Sequence, residues 1–271
     1  MIRLIHGDNL EGLRTVESES VTLAYLDPPF FTQRDFQTTD GRLAYSDKWR
    51  SFDEYLKTIG YLLAVVAMKL APWGSCVIHV DPRVAAYVRI QGDEVFGRDH
   101  FASEIIWRYR RWPSKQKGFQ RIHDVLLHWR SDPSSEPRWT QLYEPLAPST
   151  VKTWGKGKQR AVVEDGHRTR SSTTEEDSPG VPMGDVWDIP IVAPSGRERT
   201  SYPTQKPEAL LERLILALTH EGDTVLDPYC GSGTSCAVAR RLGRRSVGID
   251  SSAVALEVAR KRLRISDDAA A

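Results

Sequence analysis

Five short stretches concentrate β-branched, aromatic and other apolar residues as strands do: IRLIH (2–6), VTLAYL (21–26), SCVIHV (75–80), EIIWRY (104–109) and DVLLHW (124–129). Between the second and third, Phe52, Tyr55, Leu56, Ile59, Leu62, Leu63, Val66 and Leu70 recur at helical spacing. Ser51, three residues ahead of Glu54, predicts a capping box at the start of that helix, and Pro72 with Gly74 predict its end. The same alternation resumes near Pro203. Pro207 reads as a first helical residue ahead of Leu210, Leu211, Leu214, Ile215 and Leu218. Then follow a strand (TVLD, 224–227), a glycine turn, a helix over Ser235–Leu242, a strand (SVGID, 246–250) and a last helix to Leu263. Strands alternating with helices predict an α/β fold, a doubly wound Rossmann-like sheet of about seven strands.

Residues 131–185 break the pattern. Pro133, Pro137, Pro145, Pro148, Pro179 and Pro182 punctuate them, 171–178 (SSTTEEDS) is polar, and apolar periodicity is weak. They read as an inserted, loop-rich module between residues 1–130 and 186–265, with 266–271 a frayed tail.

Composition narrows the class. Of 271 residues 40% are hydrophobic, and 37 Lys+Arg face 36 Asp+Glu, as in soluble globular chains. The longest apolar run, Tyr61–Ala67, falls far short of the roughly 20 residues a membrane span needs. Arg3, His6 and Asp8 interrupt any signal-peptide pattern. Cys76, Cys230 and Cys236 form neither a disulfide framework nor a metal-ligand spacing, so a reducing cytoplasm and no metal are expected. A net charge of +1 argues mildly against a nucleic-acid partner.

The distribution of charge reverses that inference. Residues 104–130 carry Arg108, Arg110, Arg111, Lys115, Lys117, Arg121 and Arg130 against Glu104 and Asp124, a net of +5. Trp107, Tyr109, Trp112 and Phe119 interleave with them. Residues 152–170 carry Lys152, Lys156, Lys158, Arg160, Arg168 and Arg170 against Glu164 and Asp165, a net of +4. Two basic segments in a near-neutral chain read as phosphate contacts on a nucleic acid.

Two motifs carry chemistry. TVLDPYCGSGT (224–234) joins a strand to a helix through Gly231 and Gly233, which let a ligand approach main-chain N–H groups. Asp250 ends the next strand, where an acidic residue binds ribose hydroxyls in Rossmann-type sites. Asp227 would repel a pyrophosphate but suits the ammonium and sulfonium of S-adenosylmethionine. The second motif, Asp27-Pro28-Pro29-Phe30, ends a buried-type strand. Asp27 and the Pro28 carbonyl can each accept one N–H of an exocyclic amine, and Phe30 can stack on its ring. The glycine turn follows the acidic motif instead of opening the chain, so the order of the halves is permuted.

With these motifs the sequence resembles the amino-methylating DNA methyltransferases, in their permuted β-type arrangement. The resemblance covers nearly everything outside 131–185 and includes HGDNLEGL (6–13), DPPF (27–30), YPTQKPEALLERLI (202–215) and DPYCGSGT (227–234). DEVFG (93–97), EIIW (104–107) and HDVLLHW (123–129) match the family's internal strands. The resemblance implies that Asp27, Pro28, Pro29 and Phe30 hold the target amine and base. It implies that Asp227, Gly231, Gly233 and Thr234 cradle the methionine part of S-adenosylmethionine, with Tyr229, Cys230 and Ser251 bordering that site. Asp250 would bind the ribose and Asp8 would approach the adenine. Thr204, Gln205 and Lys206 would meet the cofactor carboxylate, and Asp27 would border the cofactor as well. Cys230 and Cys236 also read as packing residues.

The implied activity is methylation of an exocyclic amine on a base flipped out of double-stranded DNA, gripped by Arg108, Arg110, Arg111, Lys115, Lys117, Arg121, Lys152, Lys156 and Lys158. Asp at the head of DPPF favours N6 of adenine; N4 of cytosine is the alternative, and a catalytically silent DNA-binding module is a reading from another class. A cytoplasmic, nucleoid-associated enzyme of a bacterial or archaeal cell follows, with no membrane partner. Oligomeric state stays open, a homodimer being common among such enzymes.

Overall fold

The structure, a computed structural model, describes residues 1–265 except 113, 114, 116, 165 and 166, and leaves the side chains of 154, 159–164 and 167–175 undescribed. The tail 266–271 and the side chains of Arg160, Arg168 and Arg170 therefore lie outside the described residues. The chain forms two compact units, 1–140 with 185–271, and 141–184.

The first unit begins with β1 (Ile2–His6), α1 (Asn9–Arg14), β2 (Val21–Leu26) and a hairpin of β3 (Arg34–Gln37) and β4 (Leu43–Asp47). It continues with α2 (Phe52–Ala67), β5 (Leu70–Val80), α3 (Pro82–Phe96), β6 (Phe101–Arg108) and β7 (His123–Arg130). Ser51 caps α2 as expected, its hydroxyl accepting from the N–H of Glu54 at 3.1 Å. The Glu54 carboxylate reaches one residue further back than a capping box requires, to the N–H of Arg50 at 2.9 Å.

The second unit holds β8 (Tyr143–Glu144), α4 (Pro148–Trp154), β9 (Gly157–Glu164), β10 (His167–Asp177) and β11 (Val181–Pro182). The first unit then resumes with β12 (Val186–Asp188), α5 (Glu208–Leu218), β13 (Thr224–Asp227), α6 (Thr234–Arg241), β14 (Arg245–Asp250) and α7 (Ala253–Leu263).

Eight strands make one sheet in the order β1-β14-β13-β2-β5-β7-β6-β12. All run parallel except β7, which is antiparallel to both neighbours. Apolar residues of α1, α2 and α3 cover one face, with Leu13, Tyr55, Ile59, Leu62 and Val88 packed on Val21, Ala24, Leu26 and Ile78. A second cluster joins Leu4 of β1 and Cys230 to Cys236 of α6 and Leu256, Ala259 and Leu263 of α7. Burying both faces explains why β2 is buried at every position and lacks the alternation of a half-exposed strand.

Four expectations change. α2 stops at Ala67, short of the expected end at Pro72 and Gly74, because Leu70, Pro72 and Gly74 already belong to β5. DEVFG is not a strand: Asp93–Phe96 closes α3, and Gly97 ends it at φ +98°. Its apolar residues repeat at helical spacing, Val84, Ala85, Val88, Gly92 and Phe96 all facing inward. The inserted stretch is less irregular than its composition suggests, because β9 and β10 form a long antiparallel hairpin. Polar residues throughout β10 and at half the positions of β9 hid that hairpin from any apolar pattern. Its boundary also moves. Residues 131–140 belong with the sheet unit, where the Thr140 N–H donates to the Ala217 carbonyl at 2.9 Å and Arg138 pairs with Asp223 at 3.6 Å.

Candidate active site

β13 and β2 are parallel neighbours, with Val225 beside Leu23 and Leu226 beside Ala24. Their carboxyl ends therefore deliver Asp227 and Asp27 to the same cavity, of about 530 Å³, in the crevice where doubly wound sheets bind ligands. Residues from the β3–β4 hairpin (Phe36, Leu43, Ala44, Tyr45), from 202–206 and from the start of α7 complete its wall.

The acidic turn is anchored from below. Pro28 and Pro29 have no N–H, so the first main-chain donor after Asp27 belongs to Phe30. Asp47, at the end of β4 and 1% exposed, takes it. Its carboxylate accepts from the N–H groups of Phe30 (3.1 Å), Phe31 (3.0 Å) and Thr32 (2.7 Å), the Thr32 hydroxyl (2.6 Å) and the Trp49 indole (2.9 Å). Phe31 and Gln33 hold left-handed φ values of +58° and +60°, a conformation such an anchor sustains. Above this knot the Asp27 oxygens receive Lys206 Nζ at 2.7 and 2.5 Å, and the same ammonium stands 5.1 Å from the centre of the Phe30 ring.

In the glycine turn Gly231 and Gly233 adopt φ of +49° and +73°, and a Cβ on Gly231 would stand 3.1 Å from the Tyr202 ring. The Gly231 N–H donates to Asp250 Oδ2 at 2.8 Å, and Asp250 Oδ1 accepts from the N–H of Ser252 at 2.8 Å. Asp227 accepts from the N–H of Tyr229 at 3.0 Å and from the Ser235 hydroxyl. Burial pushes the Asp227 carboxyl up to about 7 and raises that of Asp250. Asp27, Asp227 and Asp250 all line the cavity, with Lys206 as a compensating cation. This acidic, glycine-walled space fits a ligand with a sulfonium and an ammonium, and offers no phosphate cradle.

Asp27, Pro28, Pro29, Phe30, Thr204, Gln205, Lys206, Asp227, Tyr229, Cys230, Gly231, Thr234, Asp250 and Ser251 all meet at this cavity. Several also engage their neighbours. Lys206 pairs with Asp27. Gln205 braces its own loop, accepting from Thr200 N at 2.8 Å and donating to the Glu198 carbonyl at 2.7 Å. The Thr204 and Tyr45 hydroxyls share a hydrogen bond of 3.1 Å. Gly233 stands behind the wall, where it precedes α6 and packs on α7. Asp8 caps α1, accepting from Leu10 N at 2.9 Å, and lies outside the cavity wall. The short helix that follows at once uses the carboxylate as its cap.

The sequence profile of a family described as DNA methylase, of the N6/N4 methyltransferase type, matches residues 21–261. The chain belongs to this DNA methylase family. It is 30% identical to the type II methyltransferase M.HpaI of Haemophilus parainfluenzae over 96% of its own length and 74% of that protein's. It is 29% identical to the DNA adenine methyltransferase YhdJ of Escherichia coli, over 97% and 83%. Among solved structures, the M1.HpyAVI complex with SAM shares the fold at a TM-score of 0.61 and 21% identity, covering 98% of this chain and all of that one. The cytosine-N4-specific PvuII methyltransferase shares it at a TM-score of 0.67 and 19% identity, over 99% and 89%.

For a DNA methylase the position of the basic residues matters next. β6 and β5 both run antiparallel to β7, so the 109–122 connection leaves the sheet at the same end as the Asp27-Pro28-Pro29-Phe30 turn. It exposes Arg110, Lys115 and Lys117, with Trp112 and Phe119 almost wholly in solvent. The count along the chain overstated its charge. Asp188 of β12 forms a two-pronged pair with Arg108, and Asp81 takes Arg121 at 3.2 Å. Arg111 lies over the Tyr109 ring and donates to its hydroxyl at 3.1 Å. In the second unit Lys152, Lys156 and Lys158 are exposed, Lys158 with Glu176 at 4.0 Å.

A row of polar residues beneath the turn escaped the sequence reading. Tyr25 and His79 meet at 3.0 Å between hydroxyl and Nδ1, His79 Nε2 meets Asp124 at 3.3 Å, and the Tyr109 hydroxyl donates to Asp124 at 3.0 Å. These come from β2, β5, β7 and the end of β6, and only a strand order makes them neighbours. Burial works against the Asp124 carboxylate, yet its bond from His79 and nearby positive charge hold it below the usual carboxylate range. No group of described residues could hold a metal ion, and no described helix is long and apolar enough to cross a membrane.

Proposed function

We propose that this DNA methylase transfers a methyl group from S-adenosylmethionine to N6 of an adenine flipped out of duplex DNA. One observation carries the reading: adjacent strand ends set an amine receptor, Asp27-Pro28-Pro29-Phe30, beside the acidic glycine turn at Asp227, within one cavity. The likeness to a DNA adenine methyltransferase supports adenine as the target. The bound cofactor supplies an electrophilic methyl on sulfur.

The chain's own residues do the rest. Each Asp27 oxygen keeps a lone pair beside its bond to Lys206, so the carboxylate can accept an N–H of the target amine while the Pro28 carbonyl accepts the other. Two acceptors draw the amine toward a pyramidal shape and localise the lone pair that attacks the methyl carbon. Phe30 stacks on the base, and the Asp47 knot fixes the plane of its ring. Flipping costs a few kcal/mol, which contacts of Arg110, Lys115 and Lys117 with the phosphates offset. The 141–184 unit acts as the target-recognition module, its Lys152, Lys156 and Lys158 meeting the duplex. The enzyme works on the DNA of a bacterial or archaeal cytoplasm.

The test is expression with a plasmid, digestion of the plasmid to nucleosides, and mass spectrometry. N6-methyladenine is expected. N4-methylcytosine would reassign the target, and unmodified DNA would refute the proposal.

A further inference from the structure

Methylating a neutral amine leaves a cationic nitrogen that must shed a proton, and Asp27 is the carboxylate in reach. Resting on the function proposed above, we propose that Asp27 passes this proton inward to His79, which Asp124 holds ready to receive it.

His79 is the penultimate residue of β5 and is wholly buried. Burying an imidazole is unfavourable unless both nitrogens find partners. Nε2 faces Asp124 Oδ2 at 3.3 Å, and a carboxylate can only accept, so Nε2 carries the hydrogen. Nδ1 is then the basic nitrogen. It accepts from the Tyr25 hydroxyl at 3.0 Å and stands 3.9 Å from Asp27 Oδ1. The groups around it are Tyr25 and Asp27 from β2 and its turn, Asp124 from β7, the rings of Phe30 and Trp107, and Lys206 beyond Asp27. Tyr109 and its neighbour Arg111 secure the far side of Asp124.

The step balances without an added reagent. The amine lone pair forms the N–C bond as the C–S pair leaves with sulfur. The N–H pair then stays on nitrogen and the proton moves to Asp27. Asp27 closes on Nδ1 by about 1 Å and hands the proton over. Tyr25 turns from donor to acceptor. The imidazolium sits between two carboxylates, Asp27 is again charged, and the product cannot be reprotonated from it. The proton returns through Asp27 to water when the base leaves. His79 and Asp124 do not touch the substrate in this scheme; they are positioning and proton-storing residues acting through Asp27.

The experiment compares wild type with His79→Gln and Asp124→Asn in single-turnover methylation of a duplex across pH, with cofactor and DNA affinities measured separately. With cofactor and DNA saturating at every pH, His79→Gln should slow methyl transfer about 100-fold and shift the fall in rate on the acid side, with both affinities within about twofold of wild type. Asp124→Asn, which keeps the shape, should slow transfer about tenfold and displace that acid limb; it decides the matter if His79→Gln does not fold. Nitrogen NMR of the free protein should show His79 with its hydrogen on Nε2. A wild-type rate and pH profile in either folded variant, or the hydrogen on Nδ1, would overturn the relay. Absence of methylation by the wild-type protein would instead refute the function on which it rests.

Discussion

Lys206 and Asp27 lie 179 residues apart in the chain and meet at 2.5 and 2.7 Å, the ammonium bridging both carboxylate oxygens. The contact joins the segment before α5 to the end of β2, and so ties the two motif-bearing halves of the sheet unit at the cavity. Both side chains are less than one-fifth exposed, so neither charge is well solvated alone. Lys206→Met should lower stability by about 2 kcal/mol and reduce kcat/KM for DNA at least tenfold. Thermal unfolding and steady-state methylation check this, and Lys206→Arg should recover part of both.

Asp47 is almost wholly buried, and it takes five hydrogen bonds from the turn and its flank. Asp47→Asn replaces one acceptor oxygen with a donor facing other donors. It should cost about 3 kcal/mol in chemical unfolding and depress kcat more than cofactor affinity, because Phe30 loses its fixed plane.

Asp227 gives a pH prediction with a definite sign. Burial raises its carboxyl to about 7, so the folded protein binds a proton there that the unfolded chain releases near its ordinary value. The stability this contributes is fully present below the unfolded value and is lost as pH rises through about 7. Binding a cationic cofactor beside it requires the charged form. Affinity for S-adenosylmethionine should therefore rise roughly tenfold per unit up to that pH and then level off, with a proton released. Calorimetry in buffers of different ionisation enthalpy measures both, and Asp227→Asn should bind weakly with no such slope.

Lys115 and Lys117 stand exposed on the connection that leaves the sheet at the end carrying Asp27. Replacing both with Ala should weaken binding to every duplex alike and reduce the slope of log affinity against log salt by about 2. Fluorescence anisotropy over a salt series tests it; an unchanged slope would remove both residues from the footprint.

The motifs were legible because each is local. DPPF and DPYCGSGT are contiguous, and the strands carrying them are continuous apolar runs, so their place at strand ends followed from pattern alone. What stayed hidden depends on strand order. His79, Asp124 and Tyr25 sit 54 and 45 residues apart in sequence, and no spacing announces that β5 joins β2 to β7. Asp47 was invisible for a different reason: β3 and β4 are short, largely exposed strands without strong alternation. Charge counting failed at Arg108 and Arg121, whose partners Asp188 and Asp81 lie outside the counted segment. Lys206 and Asp8 were assigned from the family's motifs, and in the structure one pairs with Asp27 and the other caps a helix.

The measurement that bears most directly on the account uses purified protein, duplex DNA and S-adenosylmethionine with a deuterated methyl group. Nucleosides released from the DNA should contain deuterated N6-methyladenine with wild type and none with Asp27→Ala, whose cofactor affinity should stay within about threefold of wild type. Label that persists in the Asp27→Ala product, or that appears on cytosine C5 instead of an exocyclic amine, would contradict the amine-receptor role of Asp27-Pro28-Pro29-Phe30.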